Sequence, residues 1–151
     1  MHSPDNIRKS IHLKYIKEMS SIIEFLKKDR FAVNAGIELL EVAEGRAIAR
    51  MKVTKVHLNA GGVCQGGALF TLADLACAAV ANSHGGLTFS ITANITFIRS
   101  AQEGETVYAE ATEVVNHPRV PYIRVELKNE EGDLLAAFTS SGYRKLQSDQ
   151  K

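Results

Sequence analysis

The chain has 151 residues, of which 45% are hydrophobic and 23% charged, with a formal net charge of +1. That length supports one domain with a core of its own, and the proportions exclude the disordered, collagen-like and membrane-spanning classes. The cation excess is local, seven Lys or Arg against four Asp or Glu in residues 1–30; without a dense basic stripe or a reading motif, a nucleic-acid partner is not expected.

In chain order, Ile7, Ile11, Tyr15, Met19, Ile22, Ile23 and Leu26 recur at three- and four-residue steps between Asp5 and Arg30. The spacing predicts an amphipathic helix, expected to pack along the domain's edge rather than on a membrane surface. Residues 1–30 are therefore read as a helical extension and 31–147 as the main domain. After Phe31 come short β-type runs, Gly36 to Val42 and Ala47 to Val53, around Glu44-Gly45, which predicts a hairpin. A glycine-rich passage from Asn59 to Gly67 then runs into Ala68 to Ala81, a helix apolar on nearly all faces and hence buried. Asn82 to Gly86 stop it. Four strand candidates follow, near Thr88 to Arg99, Thr106 to Val115, Val120 to Asn129 and Leu134 to Leu146, the last two joined by a turn at Glu131-Gly132-Asp133. One buried helix among strands, without βαβ alternation, predicts an α+β fold with an antiparallel sheet wrapped round that helix.

Cys64 and Cys77 are the only cysteines. They are too few for a disulfide framework, lack metal spacing and suit a reducing compartment as buried small hydrophobes. With no leader-like segment and no apolar run of spanning length, the expected location is cytoplasmic, away from membranes. The histidines at 2, 12, 57, 84 and 117 show no zinc spacing, so no metal site is expected.

The glycines at 61–67 lack the Lys and Ser/Thr of a phosphate loop and the dinucleotide fingerprint. They do precede a helix N-terminus, where free N–H groups favour a polarised oxygen and make an oxyanion hole. Asp74, a carboxylate within an apolar helix, has to be paired, protonated or exposed at a special surface. Eight residues separate it from Gly66, about 12 Å along a helix. If both act on one bond, the carboxylate comes from a second copy of the helix, and the site is shared across a twofold axis.

The string His57-Leu58-Asn59 through Gln65-Gly66-Gly67-Ala68-Leu69-Phe70-Thr71-Leu72-Ala73-Asp74 resembles the signature of the hotdog thioesterase superfamily, specifically the PaaI-like thioesterases. The likeness continues through Ser90 to Arg99 and into Gly104-Glu105, spanning about residues 33 to 146. It implies a hotdog fold, dimers or dimers of dimers joined edge to edge, and hydrolysis of an acyl-coenzyme A with no separate cofactor. It further implies that the Gly66 N–H polarises the thioester carbonyl, that the Asn59 amide helps hold it, and that Asp74 of the partner chain acts as base or nucleophile. Ser90 matches a hydroxyl that some relatives use to orient the water. Gln65 stands where most relatives have histidine; it still hydrogen-bonds but does not change charge near neutral pH, which leaves it a positioning part. Ser100 replaces a proline common after the arginine, with no more expected than a looser turn. Arg99, His117, Arg119 and Arg144 are candidate contacts for the phosphates of coenzyme A. Two rival readings keep the fold: a hydratase-dehydratase of enoyl or hydroxyacyl thioesters, and a non-catalytic acyl-CoA-binding module.

Overall fold

A computed structural model describes residues 4–149. Helix α1 (Pro4–Leu26) and the short α2 (Arg30–Asn34) precede a hairpin of β1 (Ile37–Ala43) and β2 (Arg46–Lys52). The central helix α3 (Gly66–Ala81) follows, then β3 (Thr88–Phe97), β4 (Thr106–Val115), β5 (Tyr122–Lys128) and β6 (Leu134–Arg144). The six strands form one antiparallel sheet in the order β1-β2-β4-β5-β6-β3. Helix α3 touches all six, so the sheet curves round it. This is the α+β arrangement expected from the sequence.

The close approach of helix and sheet has a compositional cause. Inward positions of β2 and β4 carry Ala47, Ala49, Ala109 and Ala111, and the facing side of α3 carries Ala73, Ala76 and Ala79, all without solvent exposure. Small side chains on both surfaces let the backbones near each other, while Leu72, Val80, Phe138 and Leu127 fill the remaining space. Truncating Leu72 to alanine in such a core costs about 2 to 5 kcal/mol.

The N-terminal region departs from the sequence expectation. One helix to Arg30 was expected, whereas α1 ends at Leu26 and a new helix starts at Arg30. Asp29 is the reason: its carboxylate accepts the Ala32 N–H at 3.0 Å and caps α2, outweighing the continued apolar period. Only the second half of α1 packs on the domain, through Met19 and Leu26, while Ile7 and Ile11 stay 49% and 64% exposed.

Strand β3 is an edge strand with one extra residue. Ser90 pairs with Gly142 and Thr92 with Ser141, so Ile91 is a bulge. Side chains alternate across a strand, and the bulge shifts that alternation: Thr88 and Ser90 face α3, and beyond the bulge so do Ala93, Ile95 and Phe97, opposite inward Ser140, Phe138 and Ala136. Positions 90 and 97 differ by an odd count; only the bulge lets both look inward.

Candidate functional site

The start of α3 leaves a single donor unused. Gln65 is its N-cap: the side-chain Oε1 folds back to accept the Gly67 N–H at 2.6 Å, and the Gln65 carbonyl accepts the N–H groups of Ala68 and Leu69 at 3.0 and 3.4 Å. Gly67 has to be glycine for this, because a Cβ there would lie 2.5 Å from Gln65 Oε1. The remaining first-turn amide, the Gly66 N–H, makes no hydrogen bond among the described residues. It points out of a helix N-terminus, where the backbone dipoles favour a partial negative charge. The Phe97 ring lies beside it, near enough that a Cβ on Gly66 would meet Cζ at 2.8 Å.

Asn59 sits on the loop before α3, which closes as a small hairpin. Leu58 bridges Cys64, the Gln65 N–H donates to His57 O at 2.7 Å, and the Asn59 N–H donates to Val63 O at 2.8 Å. The Asn59 Oδ1 accepts the N–H groups of Gly61 and Val63 at 2.9 and 3.3 Å. Two N–H donors fix the oxygen inward, which turns the exposed NH2 outward with its donors unspent. Asn59 makes no hydrogen bond with Gln65 or Gly66. Beneath the loop, buried His57 accepts the Thr54 N–H at Nδ1 and donates from Nε2 to Ala35 O at 2.6 Å, a structural use of both ring nitrogens.

Asp74 lies two turns further on, half-buried, in a cleft of about 220 Å³ with Cys77, Ser90, Ile123, Ser140 and Gly142 among its lining. No hydrogen bond or ion pair reaches its carboxylate among the described residues. Burial, and then the charge of Asp29, raise its pKa above the usual carboxylate value. Ser90 belongs to the same cleft, its hydroxyl 3.4 Å from that of Ser140. Gly142 lets β3 and β6 approach closely beside the cleft: a Cβ there would meet Thr88 Cγ2 at 2.8 Å and the Phe89 carbonyl oxygen at 2.9 Å. Cys77 also lines the cleft, and burial pushes its thiol up to about 12, away from the thiolate form.

The structure therefore joins Asp74 with Ser90, and Gln65 with Gly66, at two places about 12 Å apart along α3. The proposed phosphate cations are dispersed and mostly engaged. Arg99 pairs with Asp133 at 3.5 Å. Arg119 pairs with Asp149 and bonds the Tyr143 hydroxyl at 2.9 Å, and His117 Nδ1 accepts the backbone N–H groups of Arg119 and Val120. Arg144 corrects the sequence expectation: it is buried, with its guanidinium donating to Asn116 Oδ1 at 3.0 Å, Ala81 O at 3.3 Å and Thr88 Oγ1 at 3.4 Å. Its donors tie the end of α3 to β3 and the β4–β5 loop, so it is not a pocket-mouth cation. Phe97, Ser140 and Gly142 were not singled out from the sequence; the odd interval between Ser90 and Phe97 was the available hint. Among the described residues no cluster is arranged to hold a metal ion, and no helix is long and apolar enough to cross a membrane.

Comparison with known proteins bears on the same residues. The family model of the thioesterase superfamily matches residues 61–136, from the glycine-rich loop into β6. A relative from Archaeoglobus fulgidus is 42% identical over 118 residues, 78% of this chain and 77% of that one. The acyl-coenzyme A thioesterase PaaI of Escherichia coli is 31% identical over 118 residues, 78% of this chain and 84% of that one. The solved structure of the E. coli PaaI protein from the phenylacetic acid degradation operon superposes with a TM-score of 0.81 at 28% identity, covering 88% of this chain and 94% of that one.

Proposed function

The chain belongs to the thioesterase superfamily, as a hotdog-fold, PaaI-like member, and from that premise we propose that it hydrolyses the thioester of an acyl-coenzyme A at a site shared by two copies of itself. The observation that carries the reading is the pair of unspent groups on α3, the Gly66 N–H and the Asp74 carboxylate, too far apart on one helix to meet at one bond.

A twofold axis brings them together. On α3 the incompletely covered side chains run through Phe70, Thr71, Asp74 and Ala78, one stripe of the helix. Set antiparallel to its own copy with the axis at Phe70, the midpoint of 66 and 74, each Gly66 faces the partner's carboxylate. The same axis suits β3, where Ser90 and Phe97 have their midpoint between Ala93 and Asn94. Phe70 already packs edge-on against Phe138, ring centres 5.2 Å apart, and Phe138 pairs with Ile95. Beyond β3 lies no strand among the described residues, and Phe89 and Ile91 on it are exposed to solvent. An open edge with apolar residues pairs readily with a second copy. The other edge, β1, is flanked by α1 and α2. A dimer, or a dimer of dimers, is the proposed assembly.

In the composite site the thioester oxygen accepts the Gly66 N–H, with the Asn59 amide as a second donor, and gains stabilisation as negative charge develops on it. The opposed Asp74 either takes a proton from water as it attacks the carbonyl carbon or attacks directly, forming an anhydride that water then cleaves. Collapse of the tetrahedral intermediate expels the coenzyme A thiolate, which is protonated, and leaves the free acid. The raised pKa of Asp74 suits either role, since a carboxylate short of partners is more basic and less solvated. Ser90, which lines the same cleft as Asp74, orients the water in this reading. No metal or separate cofactor is needed, and the two free cysteines suit the proposed cytoplasmic location.

The test is thiol release from aromatic, short-chain and long-chain acyl-CoAs by the wild type and by Asp74→Ala. Turnover that the substitution removes without altering assembly fits the reading; equal rates in both proteins reject it.

A further inference from the structure

The inward side of β6 runs Ala136, Phe138, Ser140 and Gly142. Ser140 is the one hydroxyl in that column, 3% exposed, paired with Ile123 on β5 and Ala93 on β3. A buried hydroxyl costs free energy unless good hydrogen bonds replace those it made to water. Ser140 Oγ reaches Ser90 Oγ at 3.4 Å and the Ser141 carbonyl oxygen at 3.5 Å. Both are long beside the usual O–H···O length of about 2.7 to 2.8 Å. It also interacts with the Cys77 sulfur, a weak acceptor. An alanine would fill the column at less cost, so stability does not explain the hydroxyl.

The cleft does. Three hydroxyls line it with Asp74, those of Thr88, Ser90 and Ser140. The Thr88 hydroxyl is spent: it donates to the Ala81 carbonyl at 3.2 Å and accepts from the Arg144 guanidinium at 3.4 Å. The Ser90 hydroxyl has Ser140 as its one hydrogen-bond partner among the described residues. The two serines meet diagonally. Ser90 pairs with Gly142 and Ser140 with Ala93, and the Ile91 bulge lets both look inward. Gly142 has no side chain, so Ser140 is the neighbour that Ser90 finds on β6.

We propose that Ser140 is a positioning residue for the hydrolysis: it donates its proton to Ser90 Oγ from behind and so turns the Ser90 proton into the cleft, towards the attacking water. The inference rests on the acyl-CoA reading above. A hydroxyl has one proton and two lone pairs. With one lone pair of Ser90 held by Ser140, its own O–H is left to donate to the water oxygen. That water gives one proton to the Asp74 carboxylate and aims its remaining lone pair at the carbonyl carbon. Without Ser140, the Ser90 hydroxyl is free to change rotamer, and Asp74 alone holds the water. Ser140 itself touches neither water nor substrate in this arrangement.

The experiment compares wild type with Ser140→Ala, Ser140→Cys, Ser90→Ala and the double variant Ser90→Ala, Ser140→Ala. Cysteine keeps the size of the side chain but is a weak donor. Both Ser140 variants are expected to lose kcat by about tenfold or more with KM near wild type, while the urea midpoint of Ser140→Ala is not lowered. In the Ser90→Ala background, adding Ser140→Ala is expected to cost nothing further, because Ser140 acts only through Ser90. Additive losses overturn the proposal, as do wild-type kcat in any of the three single variants and a lowered urea midpoint for Ser140→Ala. Crystal structures of wild type and Ser140→Ala separate the two levels of the argument. If no thioester is turned over, the hydrolase reading falls, and the structures still decide whether Ser140 holds Ser90: a Ser90 hydroxyl that changes rotamer in Ser140→Ala upholds it, and one that stays in place rejects it.

Discussion

Replacing Gly66 by proline removes one hydrogen atom of interest and little else. Gly66 is the first residue of α3, so its N–H belongs to no helical hydrogen bond, and proline is favoured at that position. Gln65 already has φ −66° and ψ 136°, the extended conformation that a residue preceding proline requires. The steric cost is local and is shared by Gly66→Ala: the new Cβ meets the Phe97 ring at 2.8 Å. A cost of about 1 kcal/mol from crowding is partly offset by the lower entropy of the unfolded chain, so the urea midpoint is expected to stay near that of wild type. Activity is expected to fall by roughly 100- to 1,000-fold, the usual effect of deleting one oxyanion donor. Gly66→Ala is the control, because it carries the same Cβ against Phe97 and keeps the N–H. The assay is thiol release at saturating acyl-CoA beside a denaturation curve for each protein. Should Gly66→Pro turn over as fast as Gly66→Ala, the N–H has no part in the reaction.

Three further outcomes follow from the same geometry. Asp74→Ala and Gly66→Pro, each inactive alone, are expected to regain about a quarter of wild-type sites when unfolded and refolded together, because half of the random dimers are mixed and each holds one intact site; no recovery means the site lies within one chain. Asp74 has a folded pKa raised above 3.8, so the folded state binds its proton more tightly than the unfolded chain, and stability is lost as pH rises from the ordinary carboxylate value through the raised one. Asp74→Asn is therefore expected to be more stable than wild type at pH 7, with the gain vanishing in acid, and a lower urea midpoint at pH 7 contradicts this; in the wild type the acid limb of kcat/KM is expected above the ordinary carboxylate range. Arg144→Ala is expected to cost about 2 to 4 kcal/mol by leaving buried acceptors unpaired, measured by denaturation, and a rise in KM at unchanged stability would restore it as a substrate contact.

Those features of the fold that depend on local pattern were open to reading in the sequence. The α3 segment is apolar on every side and starts after glycines; Glu44-Gly45 and Glu131-Gly132-Asp133 mark their turns by composition, and both hairpins form there. What remained hidden depends on distant partners. Nothing near Arg144 in sequence shows that Ala81, Asn116 and Thr88 will surround it. The break at residues 27–29 was masked because Leu26 still obeys the helical period and Asp29 acts only through a backbone N–H three residues on. At the site, Gln65 was read as a positioning residue, and the structure makes it the cap of α3. The chain string identified Gly66 and Asp74 as interesting groups, but the unspent state of the Gly66 N–H emerges only when every neighbouring amide is accounted for.

The single supernumerary residue in β3 has a consequence for how this family member tolerates change. Ile91 is 62% exposed, and its presence keeps the two ends of the strand in phase, Ser90 beside Asp74 at one end and Phe97 beside Gly66 at the other. Removing it would turn one half of the strand over, sending either Thr88 and Ser90 or Ala93, Ile95 and Phe97 to the opposite face. At this place the number of residues sets which side chains face α3.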